Sequence, residues 1–166
     1  MDQRFHLTRN AEDLDEVIRL YKDASNMLSD NDPTKLMALE TLSQRLWTLF
    51  ESRGNIEDLE KAVKLSQRVV NSTRSDDPAL PNRLHNFATA LCTRFEVRGS
   101  MEDVEKSISF ASRSVFFTPR GDSSLPSHLM ALSTALSKRF ATTDRIEDLE
   151  QAVQLARHAK TTCSTC

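Results

Sequence analysis

The residues able to do chemistry in this chain are few, and their spacing limits what they can do. Cys163-Ser164-Thr165-Cys166 is a C-x-x-C with His158 five residues upstream. A structural zinc site takes four ligands, so this set supplies three at most, and a redox pair would sit at a helix start in a strand-helix context missing here. The motif is expected to be a plain tail. His6, His85, His128 and His158 share no register and form no column for ligand or proton chemistry. Acidic pairs recur at Glu12-Asp13, Glu57-Asp58, Glu102-Asp103 and Glu147-Asp148, a pattern that could suggest paired carboxylates for acid-base work. Each pair stands at the start of a helical segment, where acidic groups complement the positive helix end, so they are expected to be caps facing water. No nucleophile, base and orienting group come together, and no Gly-rich phosphate loop occurs. No catalytic residue, metal site or cofactor is expected, and the chain reads as a non-enzyme.

The same acidic pairs reveal what positions everything else. They return every 45 residues without insertion or deletion, followed by Leu14, Leu59, Val104 and Leu149. Arg4-Phe5, Leu49-Phe50, Arg94-Phe95 and Arg139-Phe140 keep the step, as do Asp32, Asp77 and Asp122. Self-similarity at this period is the signature of a solenoid, whose units bury their apolar faces against neighbours. A unit of this size is near the limit below which small folds need extra support, so the units are expected to fold together.

Folding the sequence on its period gives two helices per unit. The A helix buries Leu84, Phe87, Ala88, Leu91 and Phe95, matched by Leu39, Leu42, Ser43, Leu46 and Phe50 and by Leu129, Leu132, Ser133, Leu136 and Phe140. Gly54, Gly99 and Asp144 follow these helices at the left-handed cap position. The B helix starts at Asn10, Asn55 and Ser100 with an Asp three residues on, and the last copy shifts to Asp144 and Glu147. Its buried stripe is Leu59, Ala62, Val63, Ser66, Val69 and Val70, then Val104, Ser107, Ile108, Ala111 and Val115, then Leu149, Ala152, Val153, Ala156 and Ala159. B helices are predicted near 11–27, 56–72, 101–116 and 146–160, and A helices near 35–52, 81–97 and 126–141. The domain is a single repeat array over 1–160, with a partial unit 1–33, repeats 34–78, 79–123 and 124–160, and a tail 161–166. Because Arg4-Phe5 is the end of an A helix without its body, a piece excised from a longer array is expected.

A net charge of −2 and a pI near 6.1 supply no basic field for nucleic acid or anionic lipid. No apolar run approaches the roughly 20 residues of a membrane span, and the N-terminus lacks a signal-peptide core. A cytoplasmic protein with no nucleic-acid or membrane partner is expected.

Arg94-Phe95, Gly99, Asp58-Leu59-Glu60, Asp148-Leu149-Glu150 and Asn86 resemble the tetratricopeptide repeat (TPR) family, particularly elongated repeats of large fungal proteins. Against the usual 34-residue pattern, Leu84, Phe87, Ala88 and Leu91 fall on A-helix signature positions, Ser107 on the small B-helix position and Pro119 on the terminal proline. Ser66, Ala111 and Ala156 depart from it where an aromatic is usual. The resemblance implies an all-α, right-handed superhelical solenoid of antiparallel helix pairs whose A helices line a concave face. Its groove would carry Met37, Glu40, Gln44 and Trp47, then Asn82, His85, Thr89 and Cys92, then Ser127, Met130, Thr134 and Ser137. Trp47 and Met130 would hold apolar side chains of a protein or peptide partner, with His85 and Gln44 bonding its backbone. The alternative is that Trp47 packs inside the array and the rest is solvated surface. With no lysine or arginine in the set, a carboxylate clamp for peptide C-termini is not expected. The resemblance implies a protein-interaction scaffold. It equally allows a self-assembly module, a homo-oligomer joined through open solenoid ends, or a sensor arm of a larger signalling protein of the CHAT-protease or nucleotide-switch type.

Overall fold

The computed structural model describes residues 33–163 together with Glu16, Arg19, Leu20, Asp23 and Met27. Arg4-Phe5, His6, Asn10, Asp13, Ile18, Asp32, Cys166 and almost all of the predicted first B helix lie outside the described residues. From residue 33 to residue 163, six helices follow one another: α1 (Pro33–Arg53), α2 (Ile56–Ser72), α3 (Leu80–Arg98), α4 (Met101–Phe117), α5 (Leu125–Thr143) and α6 (Ile146–Cys163). They coincide with the predicted A and B helices to within about three residues, and no strand occurs among the described residues. No described helix is long and apolar enough to cross a membrane. The chain divides into two compact units, Met1–Ser72 and Thr73–Cys166. The first contains the α1–α2 hairpin, and the second contains the hairpins α3–α4 and α5–α6.

Each hairpin turns through one residue in the left-handed region: Gly54 and Gly99 at φ 69° and Asp144 at φ 54°. Their N–H groups donate back to the carbonyls of Phe50, Phe95 and Phe140 at 2.7, 2.7 and 2.8 Å, which closes the A helix within two residues of the next start. Glycine adopts this conformation without steric cost and aspartate tolerates it. Asp144 is therefore the C-cap of α5, not the N-cap expected from its spacing to Glu147. At the B-helix starts Asn55 Oδ1 accepts the Glu57 N–H at 3.1 Å, whereas Ser100 makes no side-chain cap bond.

The tight turn corrects the reading of the acidic pairs at the aspartates alone: Glu57, Glu102 and Glu147 are exposed in the first turns of their helices, as expected. Asp58, Asp103 and Asp148 are only 7%, 4% and 4% exposed, not caps facing water. Doubling back brings an arginine nine residues earlier onto each of the last two. Arg94 grips Asp103 through Nε at 2.8 Å and Nη2 at 2.6 Å, and Arg139 grips Asp148 at 2.7 and 2.6 Å. These are two-pronged charge-assisted bonds that fix the angle between A and B helices. The Arg139 guanidinium holds the Asp148 carboxyl below the usual carboxylate range. In the first hairpin Leu49 stands in the arginine's place, and Asp58 has Lys61 at 3.6 Å. Replacing Arg139 by leucine, which copies Leu49, is expected to lower stability by about 1.5–3 kcal/mol, the range for bonds to a charged group. Urea unfolding should show a lower midpoint at an unchanged slope; an unmoved midpoint would show that the clip carries no stability.

Where the helices of a hairpin cross, a serine hydroxyl meets a small neighbour, and in the first hairpin a second hydroxyl, Ser66 Oγ, lies 2.6 Å from Ser43 Oγ. Ser43 Oγ donates to the Ala62 carbonyl at 2.9 Å and Ser133 Oγ to that of Ala152 at 2.8 Å. The middle hairpin reverses the roles, with Ser107 Oγ on the B helix donating to the Ala88 carbonyl at 2.8 Å. In the larger unit the core ties all four helices together through Ala88, Ala111, Leu132, Leu136 and Ala152. One member of the expected buried stripe is exposed: Val153, at 42%, has no other described helix over its side of α6.

Candidate functional site

The A helices α3 and α5 of the larger unit flank a cleft of about 330 Å³. Their side chains reach it because 45 residues separate equivalent positions, so His85 and Thr89 on α3 face Met130 and Thr134 on α5 along one side of the stack. Cys92 and Ser127 complete six of the twelve groove positions expected from sequence, and Ser107 of α4 also lines the cleft. Met130 is 45% exposed and gives the cleft an adaptable apolar contact. Thr93 Oγ1 donates to the Thr89 carbonyl and Ser127 Oγ to that of Ser124, so these hydroxyls are already oriented. The one charged lining residue, Glu96, is matched by Lys138 at 2.7 Å, which leaves the cleft electrically balanced. Burial, then the nearby Glu96, pushes the Cys92 thiol up, so it stays protonated and apolar at neutral pH.

The other six expected positions lie elsewhere. Met37, Glu40, Gln44 and Trp47 are on α1 in the smaller unit, where Met37 is exposed and Trp47 packs half-buried on Leu42, Leu46 and Ala62 of its own hairpin. Ser137 donates to the Ser133 carbonyl and does not line the cleft. Asn82 lines a separate cleft of about 310 Å³ among the loops, beside Phe117 and Asp122.

Asn82 belongs to a polar cluster that sequence reasoning missed. His128, 1% exposed, places Nδ1 2.7 Å from Thr118 Oγ1 and Nε2 3.1 Å from Asn82 Oδ1. Thr118 Oγ1 also lies 2.7 Å from the Ser114 carbonyl; with a neutral ring, Nε2–H donates to Asn82 Oδ1 and the one Thr118 proton is given to His128 Nδ1. The His85 ring lies 4.7 Å from that of His128, with its Nδ1 buried and unpartnered. The histidines are thus paired, although they share no column. The signal was present in another form: His128 is one period after Arg83, and Thr118 one period after Thr73. Arg83, 7% exposed, reaches Thr73 Oγ1 at 3.2 Å and Asp77 Oδ2 at 2.7 Å. The third copy replaces that buried cation by a neutral imidazole. Burial, then His85, pushes His128 down to about 4, against a weaker pull from Asp122. Burial also lowers His85. Among the described residues, no three His, Cys, Asp or Glu side chains are placed to hold a metal.

No family profile matches the chain, and no curated protein matches it. Among solved structures it is similar to the nearly identical TPR-like repeats of a Podosopora anserina kinesin light chain-like protein, at 17% identity. That match covers 96% of this chain and 90% of the other, with a TM-score of 0.45. A variant of the same repeats is 16% identical over 99% of this chain and 91% of the other, with a TM-score of 0.48. Its own described residues form three helical hairpins that repeat every 45 residues.

Proposed function

We propose that this chain is a non-catalytic protein-interaction module that holds a segment of a partner protein in the cleft between α3 and α5. Stacked helical repeats present extended surfaces for this purpose, and their specificity lies in the side chains of one face. The observation that carries the proposal is the convergence of His85, Thr89, Cys92, Ser127, Met130 and Thr134 on one open, electrically balanced cleft. Such a lining suits an uncharged segment that places an apolar side chain against Met130 and aligns its backbone with the threonine and serine hydroxyls.

Selection of a random peptide library on the immobilised chain tests this. Binders are expected to be poor in charge, to lose about tenfold in affinity on Met130→Ala, and to be excluded by Thr89→Arg, which fills the cleft. Binders indifferent to both changes but sensitive to charge reversal at exposed Glu102 or Glu147 would place the site on the B helices instead.

A further inference from the structure

The cleft between α3 and α5 contains hydrogen-bonding groups that the chain itself does not use. Most of its polar lining is engaged: Ser107 Oγ on the Ala88 carbonyl, Ser127 Oγ on that of Ser124, Thr93 Oγ1 on that of Thr89, and Glu96 on Lys138. His85, Thr89 and Thr134 are not. Among the described residues, neither ring nitrogen of His85 has a hydrogen-bond partner, nor does the hydroxyl of Thr89 or of Thr134. His85 Nδ1 is sealed, so a proton placed there would be a buried donor with nothing to accept it. The ring is neutral, because burial lowers it, and its one proton belongs on Nε2, where a group in the cleft can take the bond. Thr89 follows one helical turn later on the same face of α3. The two residues therefore offer an N–H donor and a hydroxyl acceptor side by side.

We propose that the partner segment is anchored here by a side-chain carboxamide, that of an asparagine or glutamine, whose oxygen accepts from His85 Nε2–H and whose NH2 donates to Thr89 Oγ1. This anchor rests on the reading of the cleft as the partner-binding site, and it names the residue that the cleft selects. A leucine of similar size would leave both groups unpaired, and a lysine or arginine has no acceptor for Nε2–H. An aspartate or glutamate could accept from both but would carry an uncompensated charge beside a neutral ring and Glu96. A side chain, not the main chain, makes the contact because His85 is set back, its ring 4.7 Å from that of the buried His128. Thr134, across the cleft on α5, stays available to the main chain, and the residue next to the anchor packs on Met130.

The probe is a set of fluorescent heptapeptide pools, each with one residue type fixed at one position, measured by anisotropy against the whole chain. At one position the pools fixed as asparagine or glutamine are expected to bind about tenfold more tightly than those fixed as leucine, aspartate or glutamate, since a site built to bond a polar group discriminates against its absence. His85→Phe, which keeps a ring without its nitrogens, and Thr89→Val, which keeps the shape without the hydroxyl, should each abolish that preference. Both should leave binding sensitive to Met130→Ala, and circular dichroism confirms that the variants are folded. Pools that bind through Met130 with no carboxamide preference, or with one that survives either His85→Phe or Thr89→Val, overturn the anchor and leave the cleft as the partner site. Absence of binding, or binding indifferent to Met130→Ala, overturns both.

Discussion

Replacing Leu136 by alanine is expected to remove about 3–5 kcal/mol of stability, the upper part of the range for a buried leucine. Leu136 is 2% exposed and sits where all four helices of the larger unit meet. Three members of its cluster, Ala88, Ala111 and Ala152, have no rotamers with which to fill the space left behind. The cavity therefore stays open, and its lining loses dispersion contacts along with the transferred methyl groups. At about 2–4 °C per kcal/mol for a chain of this size, the melting temperature should fall by roughly 10 °C. Leu136→Met, which conserves volume, should stay within about 1.5 kcal/mol of the parent. If Leu136→Ala melts with the parent, the four helices do not share one core.

Acidification should soften the larger unit well before carboxylates protonate. His128 is held down to about 4 in the folded chain, against 6.5 for a free imidazole. Between those values the unfolded chain binds the extra proton and the folded one does not, so stability is complete above about pH 6.5 and falls as the pH drops toward 4. The loss from His128 approaches about 3 kcal/mol at the low end. His85 acts in the same direction, since burial lowers it as well. Asp148, lowered by Arg139, adds a second loss only near and below the ordinary aspartate range. Urea midpoints from pH 7.5 to 4 should therefore decline, and His128→Gln should flatten much of that slope. A parent whose midpoint is constant from pH 6.5 to 4.5 would show that His128 titrates normally and is not sealed.

The helices were legible because the period supplies several copies of each boundary, so an ambiguous cap in one is settled by a clear one in another. Gly54 and Gly99 identify the turn that Asp144 alone would leave in doubt. The convergence of His85, Thr89, Met130 and Thr134 on one cleft also follows from periodicity, since equivalent positions on successive A helices share a face. Two kinds of feature were not legible. Contacts across the turn, such as Arg139 with Asp148, join different columns, so comparing each column with itself never pairs them. The histidine pair was hidden in the same way, because His85 and His128 occupy different columns that meet only when α3 and α5 lie side by side. The exposure of Val153 depends on its setting, since Ile108, a β-branched side chain one period earlier, packs inside the array.

The crossing of serine with alanine bears on how such a chain can be taken apart and rebuilt. Two hairpins carry the hydroxyl on the first helix, Ser43 and Ser133, and the middle one carries it on the second, Ser107. Splicing α1 to α4 would set Ser43 against Ser107 and put Ala111 where Ser43 now meets Ser66 at 2.6 Å. Splicing α3 to α2 would set Ala88 against Ala62 and leave the buried Ser66 hydroxyl without Ser43. A whole hairpin carries both partners with it and can be transplanted, duplicated or deleted without breaking the match. By this match the module is the hairpin: breakpoints in the long loops around Asp77 and Asp122 keep it intact, and those at the tight turns of Gly54, Gly99 and Asp144 split it.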